Sequence, residues 1–174
     1  LQSALAGAER IFAVLDEIPT VKDDPAATPL PRIKGEVSFK HVTFEYEPGK
    51  PVVVDINLEA QPGQMIALVG PTGAGKTTLI SLLSRFYDVT SGAIFVDGYD
   101  IRTLQQGSLR QQLGIVLQDT FLFSDTVMEN IRYGRLDARD EEVIAAAKLA
   151  NADRFIHLLP QGYQTHVSEQ GHNF

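Results

Sequence analysis

An α/β fold is predicted by three observations. The apolar run Met65-Ile66-Ala67-Leu68-Val69 does not alternate, enters the glycine-rich stretch GPTGAGKTT at Gly70 to Thr78, and is followed by Leu79, Leu82, Leu83 and Phe86 at helical spacing. Strand patterns dominate from Gly35 to Leu117. Helical patterns dominate from Asp119 to Leu159.

The bulk properties set bounds on this reading. The chain has 174 residues, enough for one domain with a core. Its net charge of -7 argues against broad nucleic-acid binding, which needs a basic face. It has no cysteine, so it carries neither a disulfide framework nor a thiolate zinc site. No apolar run approaches the roughly 20 residues that span a bilayer. The start, LQSALAGAER, has no signal-peptide pattern and no initiator Met, which points to a chain cut from something longer.

Taken in order, Leu1 to Ile18 reads as one amphipathic helix, with Leu1, Ala4, Leu5, Ala8, Ile11, Phe12, Leu15 and Ile18 on one stripe and Pro19 as its stop. Residues 19–34 form a proline-rich extended linker, so the helix reads as the tail of a preceding domain. Gly35 to Tyr46 alternates like a strand with one slip of parity at Lys40-His41, predicting a bulge. Pro48-Gly49 is a turn. Val52, Val54, Ile56 and Leu58 then share one face of a second strand. After a turn at Pro62-Gly63, Met65 to Val69 reads as a parallel strand buried on both faces. Ile94 to Val96 is a short strand ending at Asp97-Gly98, and Gly114 to Leu117 is another. Thr126 and Glu129 have capping-box spacing and open a short helix through Ile131. Asp137 is placed to cap the next helix, and Phe155 to Leu159 is a third apolar cluster.

The pattern G-x-x-x-x-G-K-T is met by Gly70, Gly75, Lys76 and Thr77, with a strand expected before it and a helix after it. The glycines let the backbone approach an anion closely. Successive N–H groups form an anion nest, and the helix N-terminus adds partial positive charge. Lys76 supplies a full charge for the outer phosphates of a nucleotide, and the Thr77 hydroxyl can ligate Mg²⁺. Hydrolysis also needs an acidic metal partner and a group that orients water. Ala93 to Asp97 imitates the apolar strand ending in such an acid, but Gly98 follows, and Asp-Gly marks a tight turn. No Asn is followed by Lys, so the guanine-reading motif of GTPases is absent.

Four segments in order resemble the ATP-binding domain of an ABC transporter of the bacterial multidrug or lipid exporter type. AERIFAVLDE resembles the join to the last membrane helix. The stretch from GEVSFK to GYDI resembles the opening of the domain. GIVLQDTFLFSDTVMENI resembles its Q-loop region, and LPQGYQTHVSEQG the end of its helical subdomain. The resemblance implies a P-loop NTPase core with an antiparallel β subdomain and a helical subdomain, incomplete at the C-terminus. In these terms residues 1–18 are a linker helix from a membrane domain and 19–34 the linker. Residues 35–118 are then the ATP-binding core with the β subdomain, and 119–174 the Q-loop and part of the helical subdomain.

The resemblance also assigns roles. Tyr46 would stack on adenine, although alone it reads equally as a core tyrosine on a strand face. Gly70, Thr72, Gly73, Ala74, Gly75, Lys76, Thr77 and Thr78 would hold the phosphates of ATP. Thr77 and Gln118 would contact Mg²⁺, with Lys76 and Gln118 as the catalytic groups. Phe121 to Phe123 would either face the membrane domain or pack in the core. Ser168 departs from the Gly usual in the T-x-V-G-E contact segment, which puts the coupling there in question. The signature motif, acidic pair, catalytic Glu and switch His would lie beyond Phe174, so several core strands are expected to be missing. The fragment alone is expected to bind ATP weakly, to be inactive and to be poorly stable. The intact protein is expected to be an ATPase at the cytoplasmic face of the cell membrane. Its partners would be its own membrane domain and a second ATP-binding domain, identical or different, met head to tail. The alternatives are a soluble ABC-type ATPase and a non-catalytic nucleotide-binding module.

Overall fold

The computed structural model describes residues 2–117 and 121–167. They form two compact units, one up to Gly114 and one from Ile115.

The first unit opens with α1, Gln2–Leu15. The helix stops short of Ile18 because Pro19 disfavours helical backbone in the residue before it; its last bonds loosen to Glu17 N–H on the Val14 carbonyl at 3.4 Å. Ile11, Phe12, Val14 and Leu15 are all exposed. The proline-rich stretch is not extended throughout: it turns at Pro25-Ala26, where Ala27 N–H donates to the Asp24 carbonyl at 2.8 Å, and it is hydrogen-bonded to the rest of the unit. Thr28 N–H donates to the Thr103 carbonyl at 3.1 Å, and Gln105 N–H to the Thr28 carbonyl at 2.9 Å. Further on, Leu30 N–H donates to Ser108 Oγ and Ile33 N–H to Gln112 Oε1. Residues 22–33 therefore lie as a strap along the 3₁₀ turn Ile101–Thr103 and α3, Gln106–Arg110. The sequence reading assigned no structure to that last segment.

The strands β1 (Val37–Glu47), β2 (Lys50–Ala60), β3 (Ser91–Val96) and β4 (Tyr99–Asp100) form one sheet in the order β2-β1-β3-β4. Every pair is antiparallel. The predicted bulge is present: His41 has φ 51°, and the register shifts there against both neighbours. Phe39 lies buried before it, Val42 and Phe44 after it. In β2 the expected face is wrong in its first half. Val53 is buried and Val54 exposed, while Ile56 and Leu58 turn inward. The cause is a second bulge at Asp55, φ 50°, which flips the parity between Val53 and Ile56. Asp97 and Gly98, φ 48° and 82°, form the expected two-residue turn between β3 and β4.

The segments Met65–Val69 and Gly114–Leu117, both expected as strands, carry no ladder among the described residues. Met65 and Val69 are 94% and 91% exposed, and Val116 is 95% exposed. A parallel strand exists only through hydrogen bonds to its neighbours, and no described strand lies beside either segment. Ile66 and Leu68 still line an apolar cavity of about 240 Å³, together with Phe39 and Leu58 of the sheet and Leu79 and Leu83 beyond the glycine-rich loop. That loop leads into α2, Lys76–Leu83. The core of the unit is Phe39, Val42, Phe44, Val53, Leu82, Ile94, Val96, Leu104 and Leu109.

The second unit packs α4 (Val127–Arg132), α5 (Asp140–Leu149) and α6 (Asp153–Ile156) around Met128, Val143, Ala147, Ile156 and Tyr163. Thr126 caps α4 as expected, its hydroxyl accepting from Glu129 N–H at 3.1 Å. Asp137 does not cap α5. The helix begins three residues later, and the Glu142 carboxylate accepts from Arg139 N–H at 3.0 Å. A turn bond from Ala138 N–H to the Arg135 carbonyl holds Asp137 outside the helix.

Tyr163 donates its hydroxyl to Asp153 at 2.7 Å. Burial, helped by the Asp153 carboxylate, raises its pKa from 10.0 to about 12. A raised folded-state pKa adds stability that is complete below the unfolded value and fades as pH climbs through the folded one. Tyr163→Phe is therefore expected to lower the urea midpoint below pH 10 and to cost less as pH rises toward 12. A difference constant across that range contradicts this role.

Candidate functional site

The glycine-rich loop turns where glycine is needed. Gly73 and Gly75 have φ of 83° and 82°, in the left-handed region. A Cβ on Gly75 would lie 2.6 Å from Val53 Cγ1, so the loop also needs glycine to seat against β2. Within the loop, Ala74 N–H donates to the Pro71 carbonyl at 3.2 Å. Among the described residues no carbonyl takes the N–H of Gly73, Gly75, Lys76 or Thr77. These donors sit at the N-terminus of α2, where the helix dipole adds positive character. Lys76 Nζ donates to the carbonyls of Gly70 and Pro71, each at 2.8 Å. An ammonium has three N–H donors, so one is left for an anion. Thr77 is exposed, whereas Thr78 is buried. Free backbone donors, a lysine and an exposed hydroxyl on one helix start fit a polyphosphate with its Mg²⁺.

Tyr46 comes to this loop from β1. Its hydroxyl is hydrogen-bonded to Thr78 Oγ1 at 3.2 Å. The ring is 50% exposed, too open for a core tyrosine. It stands perpendicular to Phe44, with ring centroids 4.8 Å apart, and perpendicular to Tyr87, with centroids 5.1 Å apart. The structure thus joins Tyr46 to Thr78, at the end of the glycine-rich stretch. Gln118, like the Ser168 segment, lies outside the described residues. Phe121 and Phe123 are exposed and form a ring cluster with Tyr133 in the second unit.

Asp97 is held by the backbone of the segment before β1. Its carboxylate accepts from the N–H groups of Lys34, Gly35 and Glu36. Burial raises its pKa, but these backbone donors outweigh burial and hold it below the ordinary carboxylate range. No group of His, Cys, Asp and Glu suited to a metal ion occurs among the described residues.

Sequence reasoning missed Arg85. It ends α2 in the left-handed conformation, φ 51°, at a place where glycine is usual. Phe86 N–H bonds to the Ser81 carbonyl and Arg85 N–H to the Leu82 carbonyl, the double closure of such a helix end. The side chain accounts for the residue. It is 3% exposed, and it donates to Asp88 at 3.0 Å, to the Leu104 carbonyl at 2.8 Å and to the Lys22 carbonyl at 3.1 Å. Asp23 lies at 3.4 Å. The only local hint was an arginine just past a helical stripe, and its partners are scattered along the chain.

Residues 53–169 match the family described as "ABC transporter". The fatty acid ABC transporter ATP-binding/permease protein of Mycobacterium bovis is 52% identical over 172 residues, covering 98% of this chain and 27% of the relative. The ATP-dependent lipid A-core flippase of Syntrophus aciditrophicus is 46% identical over 171 residues, with 98% and 28% covered. A solved bacterial Atm1-family ABC exporter with ATP bound superposes with a TM-score of 0.91 at 43% identity, covering 99% of this chain and 30% of that one. The chain spans between a quarter and a third of the length of these proteins.

Proposed function

Because this chain belongs to the ABC transporter family and has that family's ATPase fold, we propose that it is the ATP-binding part of an exporter whose ATP binding and hydrolysis drive transmembrane transport. The observation that carries the reading is the meeting of Tyr46 with the loop: one hydrogen bond at 3.2 Å joins the half-exposed aromatic of β1 to the helix bearing the free N–H donors. A base on that ring and a triphosphate in the loop are the two ends of one nucleotide. Tyr46 stacks on adenine. Gly70, Thr72, Gly73, Ala74, Gly75, Lys76, Thr77 and Thr78 surround the phosphates, and Lys76 meets the outer charges. Thr77 and Gln118 hold Mg²⁺, which supplies charge neutralisation at the transferring phosphoryl group. Gln118 also orients the attacking water.

The Mycobacterium bovis relative is described as an ATP-binding/permease protein, which supports a membrane domain on the same chain. Among the described residues no helix is long and apolar enough to cross a membrane. The exposed rings of Phe121, Phe123 and Tyr133 are the surface for that membrane domain, at the cytoplasmic face of the membrane. A second ATP-binding domain, identical or different, completes the site head to tail.

Tyr46→Ala in the intact protein is expected to weaken ATP binding about 5- to 10-fold, the loss of one stacking contact. Equilibrium titration with ATP reads it. Unchanged affinity would refute the stacking role.

A further inference from the structure

We propose that Tyr87 is a positioning residue for the adenine-binding ring, a role that rests on the reading of Tyr46 as that ring. Tyr87 lies perpendicular to Tyr46, at 88° and 5.1 Å between centroids, and it also touches Phe44 at 5.5 Å. The ring is 41% exposed, so core burial does not explain it. Perpendicular aromatic pairs are directional: ring edges carry positive charge and faces negative charge, so a neighbour fixes orientation as well as place. Among the described residues the Tyr46 ring also meets Phe44 on the same strand, and its hydroxyl bonds to Thr78.

The backbone around Tyr87 is fastened on both sides. Before it, Arg85 is locked by Asp88, Lys22 and Leu104. After it, Thr90 N–H donates to the Thr43 carbonyl at 3.0 Å, and the Thr90 hydroxyl accepts from Glu45 N–H at 3.3 Å. The segment is thus sewn to β1 just beside Tyr46. An open cavity of about 320 Å³ lies against both rings, with Thr20 and Val21 on its wall. Tyr87 therefore holds the stacking face of Tyr46 toward a base without being required by the phosphate end.

The test uses the intact protein and two ligands, ATP and inorganic tripolyphosphate, which lacks a base. Tyr87→Ala is expected to weaken ATP binding about 3- to 10-fold, the worth of one aromatic pair, with tripolyphosphate affinity unchanged. Tyr87→Phe keeps the ring and should restore ATP binding. Added to Tyr46→Ala, the Tyr87→Ala change should cost nothing further, because the platform is already gone. Should Tyr87→Ala fail to fold, Tyr87→Leu, which keeps apolar bulk without the ring, decides the matter in the same way. Equal weakening of ATP and tripolyphosphate overturns the proposal, since it marks a general structural defect. If Tyr46→Ala weakens ATP and Tyr87→Ala does not, this inference fails while the reading of Tyr46 stands. If Tyr46→Ala itself has no effect, the reading fails and this inference falls with it.

Discussion

Gly92→Ala is expected to destabilise the first unit by at least about 3 kcal/mol, the range of a severe backbone clash added to left-handed strain. Gly92 has φ 80°, and a Cβ there would lie 2.3 Å from the His41 carbonyl oxygen, 2.4 Å from that of Lys40 and 2.5 Å from the His41 carbonyl carbon. These are backbone atoms of the β1 bulge. They cannot retreat without undoing the parity change that buries Val42 and Phe44. Gly107→Ala is the matched control. Nothing lies within 4 Å of a Cβ there, and the residue sits in α3. Alanine in a helix should then gain up to about 1 kcal/mol over glycine. Thermal unfolding of the intact protein reads both variants, and equal midpoints for the two would contradict the clash.

Lys76→Ala is expected to cut ATP hydrolysis by the intact protein at least about 100-fold, in line with removing one preorganised charge from a transition state that spreads charge over phosphate oxygens. Folding should survive, because the two carbonyl bonds lost are exposed ones. Lys76→Arg should not rescue, since a planar fork does not replace a compact ammonium between two carbonyls and a phosphate. The checks are the steady-state rate of phosphate release and the melting midpoint of the same sample. Turnover within a few-fold of the unchanged protein would remove Lys76 from the machinery.

What could be read ahead of the structure was local chemistry. The parity slip at Lys40-His41 and the Asp97-Gly98 turn are each written in adjacent residues, and both are present. The glycines of the loop state their own dihedral needs. The phase of β2 is not legible in the sequence, because Asp55 adopts left-handed backbone in the middle of a strand, where its residue type gives little warning. Met65 to Val69 and Gly114 to Leu117 have the composition of buried strands, but composition states a demand for neighbours and not their presence. Arg85 was invisible for a different reason. Its partners Asp23, Asp88 and Leu104 come from the strap, the loop after α2 and the segment before α3, and they converge only in the fold. Tyr87 is the same case, because its value depends on a ring 41 positions away in the chain.

The most direct measurement is a structure of the intact protein with Mg²⁺ and a non-hydrolysable ATP analogue. The account expects triphosphate density against the N–H groups of Gly73, Gly75, Lys76 and Thr77, with the adenine on the exposed ring of Tyr46 beside Tyr87. Nucleotide density elsewhere, or a base that leaves the Tyr46 ring untouched, would contradict it.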